Sequence, residues 1–310
     1  MNSVLDRIPA GARIAVIRLR SMGDCVLTTP ALEILKRTRP DLAVGVVVED
    51  RFAGIFEGNP AVSAILPPDY GAVWRWRPQL CVNLHGGTRS QLLSLASLAR
   101  IRAGFGHHRG AALYTVRIPR AQQILGVERT VHTAEHLSSA MFYLGCPIQD
   151  IPRARLFAES RPVEKPYAVL HPVAAAPYKT WHADGFLAAA GRIERGLGLD
   201  PVFIGGAADP LGPFQRYRVV AGAGLAQVKS LLAGASLFVG NDSGPAHMAA
   251  ALGVPVVVLF GRLDHQLVWA PWKARAARTL ASPDGIAGIR AGDVLQAIDE
   301  LGADSRADFR

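Results

Sequence analysis

The 310-residue sequence is poor in cysteine, lysine and aromatic residues, and each shortage excludes something. The three cysteines, Cys25, Cys81 and Cys146, are far apart and odd in number, so they suggest neither a disulfide framework nor a cysteine-based zinc site, and a reducing cytosol is the expected setting. No run of about 18 uncharged apolar residues occurs, which argues against a membrane-spanning helix. Residues 1–17 carry Asp6, Arg7, Pro9 and Arg13 and hold no long apolar stretch, which argues against a secretory leader. There is no D-x-D pair, the usual metal-carboxylate device of sites for nucleotide sugars. G-x-G-x-x-G is missing after the first strand pattern, which weakens a dinucleotide-binding reading.

What is present is a hydrophobic, basic chain. Half of the residues are hydrophobic and 19% are charged, ample for a packed core. The formal charge of +9 is uneven: residues 1–160 hold 19 basic against 12 acidic side chains, a net of +7, and residues 161–310 hold 15 against 13, a net of +2. Only five basic residues are Lys, so 29 of the 34 are Arg, the side chain that grips phosphate and carboxylate in a fork. A compositional bias explains this equally well. The functional reading is an anionic partner for the first half: lipid phosphate, an acidic sugar or nucleic acid.

The patterning alternates strand and helix. Arg13–Leu19 reads as a strand, the loop Arg20–Asp24 follows, and Val26–Thr38 reads as a helix with Pro30 near its start. Leu42–Val48 is an apolar run of the kind buried on both faces of a parallel sheet. Val62–Leu66 and Gln79–Leu84 are further strands, and Gln91–Ala99 and Thr133–Leu144 are helices. The pattern restarts after Glu159–Pro166, a linker by its two prolines and mixed charge. Tyr167–His171, Pro201–Ile204, Ser236–Val239 and Pro255–Phe260 then read as strands. Ala183–Arg195, Leu225–Ala233, Pro245–Leu252 and Ala291–Leu301 read as helices, and Ser305–Arg310 as a frayed end. The expected class is α/β, with two doubly wound parallel-sheet domains, 1–160 and 161–310, facing a cleft. In such sheets ligands sit beyond the carboxyl ends of the strands.

Three constellations fall at such ends. Gly240–His247 (GNDSGPAH) is a strand end, a polar turn and a helix start. Asp242 or Ser243 suits the cap, and the free N–H groups suit a phosphate, with His247 adding a donor. Ser21-Met22-Gly23-Asp24 puts a carboxylate at another helix mouth, as an ordinary cap or as a general base, since a helix N-terminus favours the ionised form. His171-Pro172 precedes Tyr178-Lys179-Thr180-Trp181, and Lys179 stands just past a strand end. A fourth motif, His132–His136, matches the H-x-x-E-H zinc-peptidase spacing, but no downstream carboxylate completes it. His107-His108 reads as a loop pair.

In four blocks the chain resembles glycosyltransferase family nine, the ADP-heptose:lipopolysaccharide heptosyltransferases: Ile14–Pro30, Leu84–Phe105 with Gly87, Arg89-Ser90 and Gly104-Phe105, His171–Trp181, and Phe238–Gly261 (FVGNDSGPAHMAAALGVPVVVLFG). The resemblance implies a GT-B fold of two Rossmann-like domains, with acceptor binding in 1–160 and donor binding in 161–310. It implies that Asp24 deprotonates the acceptor hydroxyl, that Lys179 neutralises the donor diphosphate, and that Asp242, Ser243, Gly244 and His247 hold it. Asp209 stands where the family usually has a Glu on the nucleotide ribose. Acceptor contacts fall on Arg20, Ser21 and Arg89. The implied reaction is inverting heptosyl transfer from ADP-heptose to an anionic lipopolysaccharide core, without metal, cofactor or nucleic acid, in the cytoplasm at the inner-membrane surface. Arg20, Ala174-Ala175-Ala176 and Arg262-Leu263 depart from the family pattern and leave sugar and acceptor open. The alternatives are a family member with another nucleotide sugar or acceptor, a GT-B sugar-nucleotide epimerase, and an inactive binding protein.

Overall fold

The short apolar runs become strands because each is buried on both faces: Ile14, Ala15, Val16 and Ile17 are fully buried, as are Val256 and Val257. The structure is a computed structural model that describes residues 3–158 and 165–307. The chain divides into two compact units, Met1–Phe157 and Ala158–Arg310. Of the expected linker, Glu159–Glu164 lie outside the described residues.

The first unit runs β1 (Arg13–Ile17), α1 (Met22–Thr38), β2 (Ala43–Val47), β3 (Ala64–Leu66), α2 (Tyr70–Trp76), β4 (Leu80–Asn83), α3 (Thr88–Ala96), β5 (Ile101–Phe105), β6 (Val116–Ile118), α4 (Ala121–Leu125) and α5 (Thr133–Leu144). Its six strands are all parallel, in the order β3-β2-β1-β4-β5-β6, with Ile14 in register with Val44 on one side and Leu80 on the other. The second unit runs β7 (Tyr167–His171), α6 (Ala183–Arg192), β8 (Asp200–Gly205), β9 (Arg218–Ala221), α7 (Leu225–Ala233), β10 (Leu237–Asn241), α8 (Gly244–Leu252), β11 (Val256–Phe260), α9 (Leu263–Trp269), β12 (Ala277–Ala281) and α10 (Ala291–Ala307). Its parallel order is β12-β11-β10-β7-β8-β9, the same winding. Each unit is a doubly wound Rossmann-like sheet, with the reversal of strand order at β1/β4 in one and β7/β10 in the other. The second unit's core gathers Trp181, Phe186, Phe203 and Phe214 with Val294 and Ile298 of α10.

The structure corrects several sequence expectations. α1 begins at Met22 rather than Val26, because Ser21 starts it, so Pro30 lies inside the helix. Pro30 cannot serve the Val26 carbonyl, and the Thr29 hydroxyl does so instead at 2.8 Å. Strands β5, β6, β9 and β12 and helices α2, α4 and α9 are additional. β6, β9 and β12 are short or lie at sheet edges, where half-buried strands carry no long apolar run, and Arg102 and Gly104 interrupt the pattern of β5. The closing helix runs on through Ser305 to Ala307. Among the described residues no helix is long and apolar enough to cross a membrane.

Candidate active site

In the first unit the polar groups collect where β1 ends. Asp24 sits in the first turn of α1 and accepts from the Ser21 hydroxyl at 3.2 Å and the Ser21 N–H at 3.5 Å. Arg18, just past β1, places Nη2 2.5 Å from Asp24 Oδ2, while its Nη1 donates to the Leu84 carbonyl at 2.7 Å. Arg18 is 92% buried in this grip, with 8% of its surface exposed, and Asp24 keeps a solvent-facing edge. A fixed, half-open carboxylate at a strand's carboxyl end can accept a proton from a bound hydroxyl. The neighbouring Cys25 thiol is pushed up to about 12, mainly by burial, so it stays protonated.

The loop after β4 is organised by Asn83. Its Oδ1 accepts from His85 N–H at 2.9 Å and Gly86 N–H at 3.2 Å, and its Nδ2 donates to Ser90 Oγ and Tyr114 Oη. Gly86 has a φ of 86° and lies against the His108 ring, so a side chain there would both strain the turn and collide.

In the second unit the corresponding edge is arranged differently. Ser243 is the N-cap residue of α8, yet no side chain caps that helix. The Ser243 hydroxyl shares a 3.0 Å hydrogen bond with His171 Nδ1 instead, and Asp242 Oδ2 pairs with Lys179 Nζ at 2.7 Å. The expectation that Asp242 or Ser243 caps α8 is therefore corrected: both oxygens are drawn away by His171 and Lys179. His247 Nε2 lies 4.0 Å from Asp242 Oδ1. The turn bearing Lys179 packs on Gly261 at the end of β11, where any Cβ would strike the Tyr178 carbonyl. Trp181 N–H donates to the buried Asn241 Oδ1 at 3.1 Å, tying the same turn to β10. Burial drives His171 down to about 4, with the Asp209 carboxylate opposing it, so the ring is neutral at pH 7.

Lys179, Asp242, Ser243, Gly244 and His247 thus form one group at the carboxyl ends of β7 and β10. Asp209, in the loop after β8, spends Oδ2 on the Gly206 N–H at 2.6 Å. In the first unit Asp24 and Ser21 meet and Arg20 is exposed beside them, whereas Arg89 stands apart on α3, 3.9 Å from Glu49. Sequence reasoning missed Arg18, whose signal was a charge directly after an otherwise apolar strand. The H-x-x-E-H motif is a capping box. Glu135 accepts from His132 N–H at 2.8 Å and is gripped by Arg129, while His132 Nδ1 accepts from Ala134 N–H. Among the described residues no three His, Cys, Asp or Glu side chains are placed to hold a metal ion. A cavity of about 830 Å³ lies at the amino ends of β7, β8 and β9, lined by Tyr167, Asp200, Arg216 and Arg218, and none of the expected site residues borders it.

Known proteins share this fold. Over 91% of this chain and 97% of its own length, the "Lipopolysaccharide heptosyltransferase 3" of Escherichia coli is 26% identical. The glycosyl transferase family 9 structure from Veillonella parvula DSM 2008 superposes with a TM-score of 0.81 at 22% identity, covering 94% of this chain and 97% of that one. The E. coli heptosyltransferase WaaC solved with ADP superposes with a TM-score of 0.77 at 20% identity, covering 93% and 99%. These likenesses give the fold as GT-B. The sequence profile described as "Glycosyltransferase family 9 (heptosyltransferase)" matches residues 78–285, and with more than half of its length so matched the chain belongs to glycosyltransferase family 9 and is a glycosyltransferase.

Proposed function

We propose that the protein moves heptose from ADP-heptose to a sugar of the lipopolysaccharide core, with inversion and without a metal ion. One observation carries this reading: α8 opens at the carboxyl edge of the second unit without a side-chain cap and with Lys179 beside it, a cradle for a diphosphate. A relative named a lipopolysaccharide heptosyltransferase, and WaaC solved with ADP and with ADP-2-deoxy-2-fluoro heptose, support the donor and the acceptor class.

On this reading residues 161–310 bind the donor and residues 1–160 the acceptor. Backbone N–H groups at Ser243 and Gly244, with His247, take the phosphate oxygens. Asp242 acts through Lys179, since a carboxylate repels phosphate and its oxygen is already given to the ammonium. Asp209 reaches the ribose. Arg20, Ser21 and Arg89 contact the acceptor. Asp24 takes the proton from the acceptor hydroxyl, whose oxygen attacks the anomeric carbon as the bond to the diphosphate breaks on the opposite face. The departing charge is met by Lys179 and the helix N–H groups, positioned before the reaction begins.

A cytoplasmic protein resting on the inner membrane fits the basic first unit. Its exposed Tyr70, Trp74, Leu92, Leu95 and Leu98 stand on and just after α2 and α3 among Arg75, Arg77, Arg89 and Arg100, an amphipathic mixture suited to an anionic interface. The test is transfer from ADP-heptose to a heptose-deficient core acceptor, read by mass spectrometry and anomeric NMR with EDTA present. An inverted product with undiminished rate is expected. No transfer from ADP-heptose, or abolition by EDTA, contradicts the reading.

A further inference from the structure

Four imidazoles gather at the carboxyl edge of the first sheet, beyond those the proposed reaction uses. His85 follows β4, His107 and His108 follow β5, and His136 lies in the first turn of α5. His136 stacks on Phe105 with ring centroids 4.0 Å apart and planes 20° apart. His107 lies 4.4 Å from His108 and 5.7 Å from His136, centroid to centroid. The loop that carries His107 and His108 is held by Gln91, whose amide donates to the Arg109 carbonyl.

The charges around these rings are almost all positive. Arg18 acts on His85, His108 and His136, Arg20 acts on His85, and Arg120, just after β6, acts on His107. Asp24 is the carboxylate felt, at His85, and it is committed to Arg18. Glu135, next to His136 in sequence, is committed to Arg129 and the His132 amide. Two nitrogens here, Arg18 Nε and His85 Nδ1, are buried without a hydrogen-bond partner, which is costly unless a ligand completes them. The place is the crevice beside the β1/β4 reversal, where doubly wound sheets take ligands.

A metal does not fit. His136 turns its ring face to Phe105, and among the described residues no set of three ligands converges. An anion fits: Arg18 Nε and His85 Nδ1 are without an acceptor, and the other imidazoles stand beside them as latent donors. We propose that His85, His107, His108 and His136, with Arg18, form an oxyanion subsite for a phosphate or carboxylate group on the acceptor sugar, and that the anion binds together with a proton. The subsite rests on the reading of the first unit as the acceptor side. Without ligand, burial is the main cause that lowers all four imidazoles, neighbouring cations add to it, and His136 falls to about 4. An oxyanion among the rings reverses the electrostatic part of that cause, so a ring neutral at pH 7 becomes an imidazolium as the anion arrives. Such a subsite selects acceptors bearing an acidic group near the attacking hydroxyl.

The test is an NMR titration of the full chain with labelled imidazole nitrogens, from pH 8 to pH 5, in inorganic phosphate, in acetate and in chloride at equal ionic strength. His85→Gln, His107→Gln, His108→Gln and His136→Gln assign the signals. Relative to chloride, the apparent pKa of at least two of the four should rise by about one unit. A rise with phosphate alone assigns a phosphate ester to the subsite, a rise with acetate alone assigns a carboxylate, and a rise with both assigns a general oxyanion. No rise in either anion overturns the proposal. That failure stays separate from failure of the glycosyl-transfer reading, because the titration requires neither ADP nor turnover.

Discussion

The two units share a strand order and differ in how one helix mouth is finished. In the first, Ser21 and Asp24 close the start of α1 and Arg18 fixes the carboxylate, so an acid stands where an anion would otherwise bind. In the second, Ser243 is turned to His171 and Asp242 to Lys179, so α8 is left without a side-chain cap. On the proposed reading the same fold yields a base in one unit and a phosphate cradle in the other because of which side chains reach the first turn. The burial of Arg18 and Asp242 makes each choice structural as well as chemical, since neither ion can lose its partner cheaply.

The comparison breaks most visibly at Asp24. Asp24→Asn keeps a capping side chain, and transfer should fall by about 10²–10⁴, the usual loss on removing a general base. Steady-state kinetics with ADP-heptose checks this, and a variant retaining more than a tenth of parental kcat would make Asp24 a cap alone. Next comes Lys179→Ala, which on that reading removes a charge-assisted bond to phosphate and takes from Asp242 its 2.7 Å partner at the helix mouth. ADP binding should weaken by about 1.5–3 kcal/mol. Calorimetric titration with unchanged affinity would put Lys179 outside the cradle.

Much of this was legible in the sequence. The apolar runs Leu42–Val48 and Pro255–Phe260 became parallel strands because both faces of the sheet are covered, and Tyr167–His171, Thr133–Leu144 and Leu225–Ala233 have the expected bounds. Lys179 and Asp242 were each singled out, but their pairing is long-range, and no local pattern announces a contact across 63 residues. Arg18 went unremarked for the same reason: its partners Asp24 and Leu84 meet only when β1 and β4 lie side by side. The imidazole wall is assembled from two separate loops and a helix start, so only His107-His108 was visible as a pair.

Smaller effects sharpen the contrast further. His136 in the first unit and His171 in the second are both held well below the usual 6.5, at about 4, chiefly by burial. A lowered histidine costs stability in acid: full stability holds above pH 6.5 and is lost as pH falls toward 4, because the unfolded chain takes protons that the fold refuses. Thermal melts from pH 8 to pH 4.5 should show this decline, and His171→Gln should flatten it; a flat parental profile contradicts the burial argument. Smallest is membrane contact. Vesicles of anionic lipid should retain the protein weakly at low salt and release it at high salt, since such attraction fades beyond about 8 Å at physiological salt. Trp74→Glu should reduce retention, and equal retention by the variant would clear that face of a role.

ADP titration of Asp24→Asn beside Lys179→Ala tests most directly whether the two helix mouths divide the labour. Parental ADP affinity is expected in the first variant, with transfer lost, and weakened affinity in the second. Equal weakening in both, or loss of ADP affinity in Asp24→Asn alone, would contradict it.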